Sequence, residues 1–183
     1  MTSTVPLDTE FDVAVVGGGI VGVSAALRVA RAGAKVVVID AEHAGKASAA
    51  GAGIVSPVGL GGDESRKEWS TLVASAISHY NGILELLRDA GTADVGFGRV
   101  GELVVATRDE DRPRLDSLLA RLKIFAGEGI PVGRVERMGA RKLMSYWPEL
   151  REDLEGLYIE NIARMDGRRM CAAIGELAKT KGA

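Results

Sequence analysis

The chain has 183 residues, of which 46% are hydrophobic and 26% charged, a balance typical of a globular protein with a hydrophobic core. Its 23 basic and 25 acidic side chains give a formal net charge of -2, which offers no electrostatic basis for binding nucleic acid or an anionic membrane. No apolar run reaches the ~20 residues of a membrane span, one cysteine excludes an internal disulfide, and two histidines leave little material for a zinc site or a Ser-His-Asp triad. We therefore predict no metal site, and the acidic residues near the N-terminus, where a signal peptide would be basic, predict a cytoplasmic protein.

Residues 11–40 read as a strand, a glycine turn, a helix and a second strand. Val13–Val16 is a short, largely β-branched apolar run, as in a strand buried on both faces of a parallel sheet. Gly17, Gly19 and Gly22 follow with the spacing G-x-G-x-x-G. The first glycine permits a tight turn, the second lets a pyrophosphate approach the backbone, and the third lets the helix and strand pack closely.

The helix and the second strand complete this pattern. Apolar residues recur at gaps of three and four from Ile20 to Ala30, Gly33 follows as a helix stop, and Val36–Ile39 is the second buried strand. The helix N-terminus would favour a phosphate, and Asp40, at the end of the strand, could accept hydrogen bonds from an adenosine ribose. The unit predicts an adenine dinucleotide but does not distinguish FAD from NAD.

A stretch rich in Gly, Ala and Ser, residues 41–62, follows this unit. Its composition is that of a flexible linker. Its position is that of a ligand loop, because it leaves the carboxyl edge of the predicted sheet, where open α/β folds bind their ligands. The residues alone leave both interpretations open.

The two stretches together resemble the amino end of the D-amino-acid-oxidase-like family of flavoproteins, which includes glycine oxidases, sarcosine oxidases and D-amino-acid dehydrogenases. In that family an Ala-Ser-x-x-x-x-Gly loop follows the acidic residue and wraps the pyrophosphate and isoalloxazine of FAD. The matching positions here are Ala47, Ser48 and Gly53, leading into Ile54 and Pro57. The resemblance therefore implies FAD rather than NAD.

The resemblance also implies how the cofactor is held. Some relatives attach the flavin through a histidine in this loop, and none lies between Gly45 and Pro57, so we expect non-covalent FAD. The predicted cofactor-binding residues are Gly17, Gly19, Ile20, Val21, Gly22, Asp40, Ala41, Ala47, Ser48, Gly51, Ala52, Gly53 and Ile54. No catalytic residue is predicted, because the flavin itself performs the redox step.

The rest of the chain reads as alternating helices and strands without the rhythm of a parallel sheet. A helix over residues 65–90 has a predicted buried stripe that includes Leu72, Ala76, Ile83 and Leu87. Helices are also predicted over 109–127, 139–147 and 166–181, and strands over 95–97, 101–107, 132–138 and 157–160.

Two helix starts carry their own signals. Thr107 and Glu110 fit a capping box before the helix over 109–127. The helix over 166–181 has an N-cap aspartate within a basic cluster of Arg164, Arg168 and Arg169, which fits either a phosphate contact or a solvated helix start.

The predicted fold class is α/β, a Rossmann-type FAD-binding domain with an interleaved α+β substrate-binding region, incomplete in this chain. We expect residues 1–64 and 161–183 to form part of the FAD-binding domain and residues 65–160 to form part of the substrate-binding region. The resemblance corresponds only to the amino-terminal part of a family member. We therefore expect one piece of a two-piece flavoenzyme, completed by a second polypeptide or a missing C-terminal half.

The function that the resemblance implies is oxidation of the C–N bond of an amine or amino acid, by hydride transfer to flavin N5. Two alternatives stay open at this stage: a non-catalytic subunit that holds FAD, and a dinucleotide-dependent dehydrogenase that acts on something other than an amine.

Overall fold

The computed structural model describes residues 10–43, 47–56, 67–92 and 94–183. The predicted loop positions Gly45 and Pro57 and the predicted helix start at position 65 lie outside these ranges. In chain order the elements are β1 (Val13–Val16), α1 (Ile20–Arg31), β2 (Val36–Ile39), α2 (Ala47–Ala50), β3 (Ile54–Val55), α3 (Lys67–Asp89), β4 (Gly98–Arg99), β5 (Glu102–Ala106), a 3-10 turn (Asp109–Asp111), α4 (Arg112–Gly127), β6 (Val135–Gly139), α5 (Ala140–Tyr146), β7 (Glu155–Ile159), β8 (Ala163–Arg164) and α6 (Gly167–Thr180).

The described residues divide into two compact units. The first unit contains residues from within 1–53, 83–96 and 165–183, and the second contains residues from within 54–82 and 97–164. The division falls inside α3. Among the described residues, no helix combines the length and the apolar character needed to cross a membrane.

β1, α1 and β2 form the predicted βαβ arrangement in the first unit. The two strands pair in parallel, with Val13 opposite Val36, and the predicted helix end at Gly33 is confirmed by its φ of +91°. One face of α1 is buried because its small and branched side chains meet the strands and α6; its buried residues are Val23, Ala26, Leu27 and Ala30.

α6 packs against α1 in the same unit. Its N-cap is Asp166, as predicted, and the carboxylate accepts hydrogen bonds from the backbone N–H groups of Arg168 and Arg169 at 3.0 and 3.1 Å. These two contacts satisfy amides that have no partner inside the helix. The buried face of α6 consists of Met170, Ile174, Leu177 and Ala178.

The second unit is built on an antiparallel sheet of order β5-β7-β6. Alternate residues of each strand point to opposite faces, so the sheet carries two apolar layers. On one face Ala106 and Leu157 pack with Leu115 of α4, and on the other Met138 packs with Leu143 of α5. A second small sheet, of order β3-β8-β4, joins strands of two residues each.

Two local predictions are wrong, each for a physical reason. Val95–Phe97 is not a strand, because Gly96 takes a φ of +68° and breaks the extended backbone; the strand lies at Gly98–Arg99. The capping box is absent: the Thr107 hydroxyl contacts the Asp111 carboxylate at 3.4 Å, and a 3-10 turn precedes α4.

The predicted stripe of α3 holds only over its second half. Ile83 and Leu87 are buried, but Leu72 is 59% exposed. Ala74 and Ile77 pack on the core cluster of the second unit instead, so the buried face of this half of the helix lies to one side of the predicted stripe. Apolar residues occur at both sets of positions, and tertiary packing selects between them.

Candidate functional site

The first unit contains a cleft of about 460 Å³ beside the glycine turn. Its walls come from the turn itself, α1, the segment after β2, α2 and one face of α6. The lining residues are Gly18, Gly19, Val23, Asp40, Glu42, Ser48, Ala49, Arg168, Cys171, Ala172, Gly175, Glu176 and Lys179. Sequence positions more than a hundred residues apart therefore line one cleft.

Two glycines of the turn are required for different reasons, Gly22 for space and Gly17 for its backbone conformation. A β-carbon on Gly22 would lie 1.9 Å from the Gly17 carbonyl oxygen, so the helix starts in direct backbone contact with the end of β1. Gly17 itself has a φ of +106°, a conformation that glycine adopts without strain. This geometry matches the roles predicted for the first and third glycines, and it leaves the N-terminus of α1 as bare backbone.

Ser48 caps α1 from another part of the chain. Gly19, the N-cap residue of α1, has no side chain to offer, and the Ser48 hydroxyl oxygen accepts a hydrogen bond from the Ile20 N–H at 2.9 Å. The hydroxyl proton is not used in this contact, so it can be donated to a ligand oxygen in the cleft. Ser48 thus combines a structural contact with a donor suited to a phosphate.

Asp40 connects the end of β2 to the glycine turn. Its carboxylate accepts hydrogen bonds from the N–H of Gly18 and from the N–H of Glu42, the latter at 2.6 Å. Both oxygens of an ionised carboxylate accept hydrogen bonds, which is the chemistry that a contact with ribose hydroxyls requires. The two amides hold the carboxylate in place at the cleft.

α6 forms the remaining wall. The Cys171 thiol donates to the Gly18 carbonyl oxygen at an S···O distance of 3.2 Å, and the Nε of Arg168 donates to the Ala49 carbonyl oxygen at 3.0 Å. Gly167 lies so close to Ser48 that an added β-carbon would be 2.6 Å from the Ser48 carbonyl oxygen. The start of α6 is therefore anchored both to the glycine turn and to α2.

The other predicted cofactor-binding residues lie in several places. Gly53 has a structural role, because its φ is +67° and an added β-carbon would lie 1.9 Å from the Met165 carbonyl oxygen. Val21 is 79% exposed on α1, and Ile54 belongs to β3 of the second unit. Among the described residues, the cleft lining does not include the predicted positions Gly17, Ile20, Val21, Gly22, Ala41, Ala47, Gly51, Ala52, Gly53 and Ile54.

The predicted cofactor-binding residues include none from α6, although Arg168 belongs to the basic cluster for which a phosphate contact was one interpretation. Residues 168, 172, 175 and 179 recur at helical spacing and form the face of α6 that lines the cleft. Met170, Ile174 and Leu177 form a different face of the same helix, which is buried. In the sequence, the small residues Ala172 and Gly175 on this face were the feature that could have indicated a cleft wall. Within the described ranges no group of three or more His, Cys, Asp or Glu residues could hold a metal ion.

Comparisons with known proteins place this geometry in a family. The sequence model of the family DAO, FAD dependent oxidoreductase, matches residues 12–183. The uncharacterized oxidoreductase YurR of Bacillus subtilis (strain 168) is 31% identical over 169 residues, which are 92% of this chain and 44% of that protein.

Two solved structures extend the comparison. The iminodiacetate oxidase IdaA from Chelativorans sp. BNC1 is 39% identical, with a TM-score of 0.80 over 93% of this chain and 45% of its own. The glycine oxidase from Bacillus cereus ATCC 14579 has the same fold, with 20% identity and a TM-score of 0.77 over 95% of this chain and 45% of its own.

The chain spans a little under half the length of the relatives that it matches. The family match covers nearly all of its 183 residues and confirms both the predicted fold class and FAD, rather than NAD, as the cofactor. The chain belongs to the DAO family of FAD dependent oxidoreductases.

Proposed function

We propose that this chain is the FAD-binding, amino-terminal part of an enzyme that oxidises the C–N bond of an amine or amino acid. The observation that carries the proposal is the cleft at the glycine turn, where bare backbone, the N-terminus of α1 and a fixed carboxylate meet. The 39% identity to an iminodiacetate oxidase supports an amine as the substrate class.

In this proposal two walls of the cleft and one neighbouring segment each contact a different part of FAD. The N-terminus of α1 and the Ser48 hydroxyl hold the diphosphate, because the positive end of the helix dipole favours an anion and the hydroxyl can donate its proton. Asp40 accepts from the ribose hydroxyls, and residues 51–54 approach the isoalloxazine. When bound, FAD supplies a flavin that accepts hydride from the substrate carbon, so this chain contributes position and electrostatics.

We also propose that a further segment of chain, in the same polypeptide or a second one, completes the enzyme. The sheet of the first unit has two described strands, and Val16 and Ile39 at their ends are 84% and 54% exposed. A two-stranded sheet is marginal by itself. The proposal assigns substrate binding to the region of residues 65–160 together with that further segment.

A matched pair of substrates tests the reaction class. The purified protein, with any chain that copurifies, is loaded with FAD and mixed without oxygen with glycine or glycolate, alanine or lactate, and iminodiacetate. We expect an amine to bleach the visible flavin absorbance and its hydroxy acid counterpart to leave it unchanged. Bleaching by a hydroxy acid alone would contradict amine oxidation, and no bleaching by any of them would support a subunit that only holds FAD.

A further inference from the structure

The side chain of Arg168 is held at the cleft by a hydrogen bond to α2. Arg168 is the second residue of α6, and its Nε donates to the Ala49 carbonyl oxygen at 3.0 Å. The side chain is exposed and lines the cleft together with Gly18, Gly19 and Ser48. The guanidinium therefore has a fixed anchor at one nitrogen and lies beside the glycine turn.

Three other charged side chains that line the cleft, Asp40, Glu176 and Lys179, have partners. Asp40 accepts from two backbone amides, and Lys179 pairs with Glu176 at 2.7 Å. Within the described ranges, the two terminal nitrogens of Arg168 form no hydrogen bond and no ion pair. The cleft therefore contains the Arg168 guanidinium, whose terminal N–H groups can donate to a ligand, next to the glycine turn, whose backbone favours anions.

The adjacent arginine has a different environment. Arg169 lies 3.6 Å from the Asp166 carboxylate and is not part of the cleft lining. Both residues are exposed and both follow the same N-cap. The structure therefore resolves the basic cluster of the sequence into one arginine at the cleft and one paired with the cap.

We propose that Arg168 is a positioning residue for the diphosphate of FAD, an inference that rests on the proposed binding of FAD in this cleft. A guanidinium presents parallel N–H donors that match two oxygens of a phosphate, and a charged pair of this kind is stronger than a neutral hydrogen bond. Its anchor on Ala49 reduces the freedom lost on binding.

The test separates the diphosphate from the rest of the cofactor. Dissociation constants for FAD, ADP and adenosine are measured by calorimetry on flavin-free protein, for the wild type, Arg168→Gln and the matched control Arg169→Gln. ADP and adenosine share base and ribose and differ in the diphosphate. We expect Arg168→Gln to weaken FAD and ADP by about tenfold, to leave adenosine unchanged, and to flatten the salt dependence of ADP binding. Arg169→Gln should match the wild type.

Two results would overturn the inference. Equal ADP affinity in Arg168→Gln and the wild type would show that the guanidinium does not meet the diphosphate. An equal loss of ADP and adenosine affinity, with unchanged circular dichroism, would show that Arg168 only anchors Ala49. The proposed function fails separately, when the wild type itself binds neither FAD nor ADP. Partial recovery in Arg168→Lys would support the electrostatic role, because lysine keeps the charge and loses the fork of donors.

Discussion

At the scale of single residues, the site depends on places where a side chain would not fit. The Gly22 position meets the Gly17 carbonyl oxygen, which is backbone and cannot rotate away. A flexible neighbour could move away from an added β-carbon. The end of β1 cannot, because the Gly17 N–H donates to the Ile39 carbonyl oxygen at 2.8 Å and holds it in place. The fold therefore requires glycine here because it has no β-carbon.

Substituting Gly22 by alanine should therefore separate the strand from the helix. We expect Gly22→Ala to lower the free energy of unfolding by about 3 kcal/mol and to abolish FAD retention, because an overpacked backbone contact cannot relax. Gly82→Ala is the control, since no atom lies within 4 Å of its added β-carbon and alanine favours helix by about 0.5–1 kcal/mol. Urea unfolding compares the two; equal stability would contradict the contact.

The sequence alone does not predict which of Arg168 and Arg169 lines the cleft. Their residue type and their neighbourhood are the same, so no local pattern distinguishes them. Which arginine reaches the cleft depends on the rotation of α6 about its axis and on the position of α2, two properties of tertiary packing. The same holds for Ser48, whose capping contact crosses 28 positions.

At the scale of elements, α6 lines the cleft with one face and begins at its N-cap residue, Asp166. Backbone N–H donation from Arg169, the largest cause, holds the pKa of Asp166 below its usual value. A carboxyl whose folded pKa is depressed contributes stability above its unfolded pKa, and this contribution is lost as the pH falls through the folded pKa.

The cap can be tested through this pH dependence. We expect Asp166→Ala to lower the urea midpoint at pH 7, with a difference from the wild type that shrinks as the pH falls below about 4. Asp166→Asn should keep most of the stability at pH 7, because asparagine caps helices well, and should lack the acid dependence. If Asp166→Ala lowers the urea midpoint by the same amount at pH 7 and below about pH 4, the cap does not depend on the ionised carboxylate and the prediction is contradicted.

The elements that were predictable are those with strong local signals. β1, α1 and β2 carry β-branched runs, glycine stops and helical spacing, and α6 carries an N-cap aspartate, so their bounds agree with the sequence within a residue or two. β3 and β8 have two residues each and pair across more than a hundred positions, as Ile54 does with Arg164. Such strands exist only through their partners, and no window of sequence contains both.

At the scale of the whole molecule, two units share one chain that spans a little under half of its relatives. The first unit has the glycine turn, the fixed carboxylate and the α6 wall that line the proposed FAD cleft. We predict that contacts within this unit hold the adenosine and the diphosphate of the cofactor, and that the rest of the enzyme adds the substrate contacts. The family match confirms the cofactor class, and the binding residues stay a prediction.

The most direct measurement is a calorimetric titration of the flavin-free protein with FAD and, separately, with NADH. We expect saturable binding of one FAD per chain, accompanied by the visible spectrum of a bound flavin, and no binding of NADH at the same concentrations. A protein that binds NADH and leaves FAD in solution would contradict it.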